Sequence, residues 1–140
     1  MRISANTSNT ANKIVYPELS YQLTGIAYKI QNELGRFCTE KQYANAFEKE
    51  LKRLKISYER ERYLPTLMGG ENIGKNWVDF VIAGTIAVDL KEKPYIERSD
   101  YYQMQRYLNL VNLKLGLIIN FQNKYLKPKR ILNSQYSHHS

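Results

Sequence analysis

The segment Trp77-Val-Asp-Phe-Val-Ile-Ala-Gly-Thr-Ile-Ala-Val-Asp-Leu-Lys91 decides the fold, because it reads as two apolar strands joined by a tight turn. A three-residue turn over residues 83–85, with Gly84 at a positive φ angle, would pair Ile82 with Ile86. The spacing therefore predicts a buried β-hairpin whose register is set by its turn.

Three charged residues interrupt this apolar hairpin: Asp79, Asp89 and Lys91. The predicted register puts Asp79 directly opposite Asp89, and strand alternation puts Asp89 and Lys91 on one face. Facing carboxylates repel, and one lysine offsets only part of that repulsion, so the arrangement favours a further cation. Ligation by oxygen alone suits Mg²⁺ or Mn²⁺ better than Zn²⁺. The alternative is an ordinary Asp–Lys pair at a strand end.

Apolar spacing and capping signals predict the other elements of the chain. Thr39 followed by Gln42 is a capping box, which marks the start of a helix. The order of elements fits an α/β or mixed α+β domain with a central mixed β-sheet flanked by helices. We predict helices over residues 17–35, 40–54 and 99–112, strands over 56–64, 115–121 and 130–132, and a loop or hairpin tip over 68–74.

The domain organisation follows from length and polarity. The chain has 140 residues, enough for one domain with a real core. We expect a flexible polar leader over residues 1–15, a single domain over 16–132 and a disordered tail over 133–140. No apolar run is long enough to span a membrane, no secretion signal is present, and Cys38 is the sole cysteine. These features predict a cytoplasmic protein without membrane association.

The charge balance favours a polyanionic partner. Lysine and arginine number 21 against 13 acidic residues, which gives a formal net charge of +8. Such an excess favours nucleic acid, although a merely basic soluble surface is the alternative. The 12 tyrosines are expected mostly in the core or at its rim, with a minority free to stack on bases.

Three more polar side chains are candidates for a site near the hairpin. Glu40 precedes Tyr43 and Phe47 by three and seven residues, so it shares their apolar stripe and is expected to point inward. Gln103 and Tyr107 are four apart, and therefore lie on one flank of the helix that follows the hairpin. The alternatives are a carboxylate that only complements the helix dipole and a glutamine that is simply solvated.

The chain resembles the PD-(D/E)xK nuclease superfamily over roughly residues 18–132, and more narrowly its small GxxExxY branch. The resemblance implies a restriction-endonuclease-like core of helix, three-stranded meander, helix and strand. The order and spacing of several motifs carry it: Glu40, Asp79, Asp89-Leu-Lys91, Gln103-x-x-x-Tyr107-Leu108 and Leu117-Ile-Ile-Asn-Phe121.

The resemblance also implies a metal site that cleaves phosphodiester bonds with Mg²⁺ or Mn²⁺. Glu40 matches the helical acid of the family, Asp79 its metal-bridging aspartate and Asp89 its second acid. The backbone carbonyl of Leu90 would complete the ligand set. These four residues are therefore the expected metal ligands.

The same resemblance implies roles for three other residues. Lys91 matches the catalytic lysine, and Gln103 and Tyr107 match the Q-x-x-x-Y element of exonuclease-like branches. The expected substrate is nucleic acid, DNA more than RNA, and a homodimer is possible. The competing hypotheses are an inactive nucleic-acid-binding module on the same fold and a small protein-interaction subunit with a tyrosine-rich surface.

Three positions depart from the pattern of the branch. Phe37 stands where the branch usually has the glycine of its GxxE motif. Gln31 replaces a histidine that is usual in the first helix, and Asp89 replaces the usual glutamate of ExK. Aspartate is a conservative replacement for ligation. Phe37 alters the expected shape of the loop, and Gln31 alters any proton transfer that the usual histidine would perform.

Overall fold

The computed structural model describes residues 16–63 and 77–137, which form three helices and five strands. The predicted leader, the hairpin tip over 68–74 and residues 138–140 of the predicted tail lie outside this described part. The elements in chain order are α1 (Pro17–Leu34), α2 (Glu40–Arg53), β1 (Tyr58–Tyr63), β2 (Trp77–Ile82), β3 (Ile86–Lys91), α3 (Arg98–Val111), β4 (Leu115–Asn120) and β5 (Lys129–Leu132).

The five strands form one mixed sheet in the order β1-β2-β3-β4-β5. Neighbouring strands are antiparallel except β3 and β4, which are parallel. A parallel pair needs a long crossover, and α3 supplies it. The predicted α+β architecture, with a mixed sheet flanked by helices in a restriction-endonuclease-like arrangement, is confirmed.

The predicted hairpin register is confirmed for the three pairs next to the turn, whereas the predicted pairing of Asp79 with Asp89 is not observed. Ile82 pairs with Ile86 and Phe80 pairs with Val88. Gly84 has a φ angle of 66°, as the turn requires of this residue. Ala83 is also left-handed, with a φ of 51°, which the sequence did not indicate. Its N–H donates to the carbonyl of Ser57 at 2.8 Å, so a bond to the chain just before β1 helps to hold this conformation.

Helices cover both faces of the sheet and create two apolar cores. On one face α1 and α2 pack on side chains such as Phe80 and Val88. On the other face α3 packs on Val81 and Ala87. Within the described residues, no helix is long and apolar enough to cross a membrane.

Local capping explains why the helix boundaries agree closely with the prediction. The Thr39 hydroxyl accepts the N–H of Gln42 at 3.1 Å, and the Gln42 side-chain oxygen accepts the N–H of Thr39 at 2.8 Å. This capping box starts α2 as predicted. The first strand starts later than expected, at Tyr58, because Ile56 still donates to the Leu51 carbonyl at the end of α2.

The first residues of the predicted tail contact the body of the domain. The Asn133 amide donates to the carbonyls of Leu108 and Leu113, at 3.1 and 2.9 Å. Ser137 and Asn112 exchange two hydrogen bonds, each of 2.9 Å. Residues 133–137 are therefore anchored on the end of α3.

One cross-strand position interrupts the regular alternation of β1 and β2. The residues paired on either side are Arg60 with Phe80 and Arg62 with Val78, and between them Glu61 and Asp79 are not paired. Glu61 has a left-handed φ of 52°. We call Glu61 and Asp79 the irregular pair.

The irregular pair makes both strands switch faces. Phe80 belongs to the core under α1 and α2, whereas Val78, two residues away, belongs to the core under α3. Arg60 likewise contacts α2, whereas the charge of Arg62 acts on Tyr107 of α3. Residues two apart in a regular strand would share a face, so the left-handed backbone redirects the end of the sheet.

The backbone of Glu61 leads to a stability prediction. A left-handed φ costs a non-glycine residue about 1 kcal/mol, and a β-branched side chain more. We expect Glu61→Gly to keep or raise the melting temperature and Glu61→Val to lower it. Thermal unfolding followed by circular dichroism measures both. A higher melting temperature for Glu61→Val than for Glu61→Gly would contradict the left-handed conformation.

Candidate functional site

A cleft where β2 begins and β3 ends brings three of the predicted site residues together. Glu40, Asp79 and Lys91 all line it, and its volume is about 390 Å³. The other residues that line it are Lys41, Ala44, Arg60, Glu61 and Trp77. The cleft therefore contains acids and cations side by side.

Glu40 lies at the first position of α2 and is exposed to solvent at the cleft. The inward orientation predicted from its apolar stripe is thus only partly seen. A helical side chain points back toward the turn that precedes it. Glu40 is the first residue of α2, so no helical turn precedes it and its side chain remains exposed. Tyr43 fixes the approach to this residue, since its hydroxyl accepts the N–H of Cys38 at 3.2 Å and donates to the Gly35 carbonyl at 2.5 Å.

Asp79 enters the cleft because of the irregular pair. Its Oδ2 accepts the backbone N–H of Leu90 at 2.7 Å. The paired register of β2 and β3 ends one position earlier, at Phe80 and Val88. A backbone N–H needs an acceptor, and the Asp79 carboxylate supplies one where the ladder stops. Asp79 therefore bridges the diverging strands rather than simply facing Asp89.

Asp89 and Lys91 begin a chain of alternating charges that runs to the start of α3. Lys91 Nζ lies 3.1 Å from Asp89 Oδ2 and 3.7 Å from Asp100 Oδ1. Lys93 Nζ lies 2.9 Å from both Asp100 Oδ2 and Glu97 Oε1. The Asp89, Lys91 and Asp100 side chains are at most 12% exposed. Partly buried ammonium groups need such compensation, and this chain provides it.

Asp100 is the residue at this site that the sequence reasoning missed. Burial by itself raises its pKa, but the hydrogen bond from Lys93, the bond from the Glu97 N–H and the charge of Lys91 outweigh burial and lower the pKa below its usual value. Asp100 is therefore ionised at neutral pH. In the sequence it is only an acid in the first turn of a helix, and nothing local indicates that it contacts Lys91.

Asp89, Gln103 and Tyr107 share a second, much smaller cavity under α3, of about 10 Å³. The two helix residues are thus on the same side as Asp89, as their spacing suggested, but they do not line the cleft. The Tyr107 hydroxyl is buried, and no hydrogen-bond partner for it is found among the described residues. Burial raises the pKa of Tyr107 to about 12; the charge of Arg62 lowers this pKa and the charge of Glu59 raises it.

The structure describes Gln31 and Phe37, two of the three positions that depart from the expected motif pattern. The Gln31 amide donates to the carbonyls of Phe121 and Asn123, at 3.0 and 2.7 Å, and so ties α1 to the loop after β4. Phe37 is 72% exposed, and the Arg36 guanidinium lies 5.1 Å from its ring centroid. Gln31 therefore serves as a structural link.

The donor set of the cleft fits a hard divalent cation. Its candidate ligands are carboxylate oxygens, and Mg²⁺ commonly uses only one or two protein carboxylates while keeping several waters. Glu40 and Asp79 both line the cleft and meet this need. Among the described residues, however, no group of three or more His, Cys, Asp or Glu side chains could hold a metal ion together. Ligation by Asp89 as well would require it to rearrange from its pair with Lys91.

Comparison with known families agrees with this geometry. A model of the PD-(D/E)XK nuclease superfamily matches residues 17–131, which is most of the chain. The chain belongs to the PD-(D/E)XK nuclease superfamily. Searches of curated proteins and of solved structures give no match.

Tyr107 allows a test of the second cavity by stability. Removing a buried hydroxyl that lacks a partner relieves its desolvation, so Tyr107→Phe should raise the free energy of unfolding by about 1 kcal/mol at neutral pH. A folded pKa of about 12, above the ordinary 10.0, means that the wild type loses stability as pH rises through this window. At a pH of about 11, midway between these two pKa values, the variant should have lost about 1 kcal/mol less.

Urea denaturation at neutral pH and at a pH of about 11 measures this difference. All other groups are the same in both proteins, so the difference in stability between the variant and the wild type at each pH reports the Tyr107 hydroxyl alone. A lower stability of Tyr107→Phe at neutral pH would mean that the hydroxyl has a stabilising partner.

Proposed function

We propose that this protein is a Mg²⁺- or Mn²⁺-dependent nuclease that hydrolyses phosphodiester bonds, of DNA more than of RNA, within the GxxExxY branch of its superfamily. The observation that carries the proposal is the cleft itself, where Glu40 and Asp79 lie together with Lys91 in a member of a nuclease superfamily. The net charge of +8 also suits a nucleic-acid substrate.

The proposed metal ligands are Asp79 and Glu40, with Asp89 and the Leu90 carbonyl completing the set. A bound divalent ion would supply Lewis-acid stabilisation of phosphate charge and a lower pKa for water. Asp79 is well placed for this role because its bond to the Leu90 N–H fixes one of its oxygens. Aspartate at position 89 would keep the oxygen donor of the usual glutamate with one methylene fewer.

Lys91 is the proposed catalytic cation. Its ammonium group would orient the attacking water and stabilise the charge that develops on the phosphoryl oxygens. The carboxylates of Asp89 and Asp100 hold it near the cleft before substrate binds. Gln103 and Tyr107, which lie beside Asp89 and outside the cleft, would support the site from the side of α3.

The second candidate is a nucleic-acid-binding module on this fold without catalytic activity. One observation favours it: Asp79 already satisfies a backbone N–H, and Asp89 already neutralises Lys91. Charges with such structural roles would persist without catalysis. A homodimer and a cytoplasmic location remain predictions on either hypothesis.

One experiment separates the two candidates. Labelled single-stranded and double-stranded DNA and RNA are incubated with the protein in Mg²⁺, Mn²⁺ or EDTA. The nuclease hypothesis predicts cleavage in either metal and none in EDTA. Binding without cleavage in any metal would favour the inactive module.

Asp79→Asn tests the metal ligand. The Asn side-chain oxygen can still accept the Leu90 N–H, so we expect an unchanged fold and melting temperature. Loss of the negative charge should reduce metal-dependent cleavage by about a hundredfold or more. Cleavage rates and calorimetric titration with Mn²⁺ provide the measurements. An unfolded variant, together with a wild type that binds no divalent ion, would identify Asp79 as purely structural.

Lys91→Ala tests the catalytic cation. We expect Mn²⁺ binding to persist while kcat falls by about a hundredfold, since the lysine acts on water and phosphate rather than on the ion. Lys91→Arg is the matched control, because it keeps the charge that Asp89 and Asp100 neutralise. Wild-type turnover in Lys91→Ala, at equal metal affinity, would exclude this role.

A further inference from the structure

Arg60 lines the cleft together with two other cations, Lys41 and Lys91, and neither the motifs nor the family resemblance gave it a role. It lies in β1, and its side chain lines the cleft together with Glu40, Asp79 and Lys91. Its NH1 donates to Glu48 Oε1 at 2.7 Å, and its guanidinium carbon lies 5.8 Å from the ring centroid of Phe80. Arg60 is therefore fixed on two sides.

Glu48 is itself held in place. Its other oxygen, Oε2, accepts the hydroxyl of Tyr58 at 2.6 Å, so both of its oxygens are engaged. The hydrogen bonds from Tyr58 and then from Arg60 lower the pKa of Glu48, so this carboxylate is ionised at neutral pH. The Tyr58 ring packs edge-on against Phe80, with centroids 6.0 Å apart. Glu48, Tyr58 and Phe80 together support the guanidinium of Arg60.

The carboxylates that neutralise Arg60 and Lys91 are not part of the lining of the cleft. Glu48 neutralises Arg60, but it does not line the cleft. The same is true of Asp89 and Asp100, which neutralise Lys91. An anion in the cleft would therefore meet Lys41, Arg60 and Lys91 without the counter-ions of the last two, beside the carboxylates of Glu40, Glu61 and Asp79. A planar guanidinium with five N–H donors suits a phosphate, which it can contact through two parallel bonds.

We propose that Arg60 binds a phosphate group of the nucleic-acid strand in the cleft, and that Glu48 and Tyr58 are positioning residues that orient its guanidinium. This inference rests on the proposed function for its ligand, a nucleic acid. It does not depend on cleavage, because a phosphate contact can be measured as binding in EDTA.

The first arm of the test removes the guanidinium. Arg60→Ala should weaken binding of a short fluorescein-labelled DNA in EDTA by about tenfold, as measured by fluorescence anisotropy. It should also reduce the slope of log affinity against log salt concentration by about one, because one phosphate contact is lost. Arg53→Ala is the control. Arg53 pairs with Glu50 and lies at the far end of α2, about 20 Å along the helix from Glu40 and the cleft.

The second arm separates orientation from charge. Glu48→Gln makes the protein more positive, so electrostatic attraction alone predicts tighter binding. If Glu48 orients Arg60, the variant should instead bind more weakly, by about threefold or more. Glu59→Gln is the matched control, because Glu59 pairs with Arg62 on the same strand, is exposed and does not line the cleft. We expect this control to bind slightly more tightly than the wild type.

Arg60→Lys completes the series. Lysine keeps the charge but lacks the planar fork, so it should restore the salt slope while affinity stays below that of the wild type. This variant and Glu48→Gln also keep the inference testable if Arg60→Ala does not fold. Melting temperatures of all variants show which of them are folded.

The outcomes separate this inference from the proposed function. Weaker binding by both Arg60→Ala and Glu48→Gln supports the role of Arg60, even if no cleavage is found in any metal. Wild-type affinity in Arg60→Ala overturns it, even if the wild type cleaves DNA. Tighter binding by Glu48→Gln, equal to that of Glu59→Gln, overturns the positioning role. A wild type that binds no nucleic acid overturns both proposals.

Discussion

The neutralisation of Lys91 is the constraint on which the organisation of this end of the molecule depends. A lysine side chain that is only 12% exposed needs nearby carboxylates, and one of them, Asp100, comes from a different element. The ion pair therefore joins β3 to the start of α3. Helix α3 is also the crossover between the parallel strands β3 and β4. The ion pair of Lys91 with Asp100 therefore helps to set the position of this crossover.

The irregular pair adds a second constraint, which separates the two carboxylates of the hairpin. With regular alternation Asp79 would share the face of Val81, under α3. The left-handed Glu61 instead accompanies a switch of faces that brings Asp79 to the cleft beside α2. Asp89 stays on the α3 side with Gln103 and Tyr107. The hairpin accepts its three charges because each has an internal partner or a cleft to face.

The parts of this structure that were predictable from sequence are those determined by neighbours along the chain. The turn at Gly84 set the hairpin register, and the capping box of Thr39 set the start of α2. The exposure of Glu40, the face of Asp79 and the contact of Asp100 with Lys91 depend on elements far apart in sequence. The apolar periodicity of one segment carries no information about a left-handed residue in another strand or about contacts between distant elements. It therefore could not place the side chains of Glu40, Asp79 and Asp100.

The alternating charges from Asp89 to Glu97 determine what would happen inside the protein if Lys91 turned toward an anion. In an isolated pair the departing lysine would leave a buried carboxylate without compensation, which is costly. Here Asp100 remains 2.9 Å from Lys93, and Lys93 remains 2.9 Å from Glu97. Asp100 would therefore lose its contact with Lys91 at small internal cost, whereas breaking the 3.1 Å pair of Lys91 with Asp89 would cost more. In this respect Lys93 acts as an electrostatic buffer for Asp100.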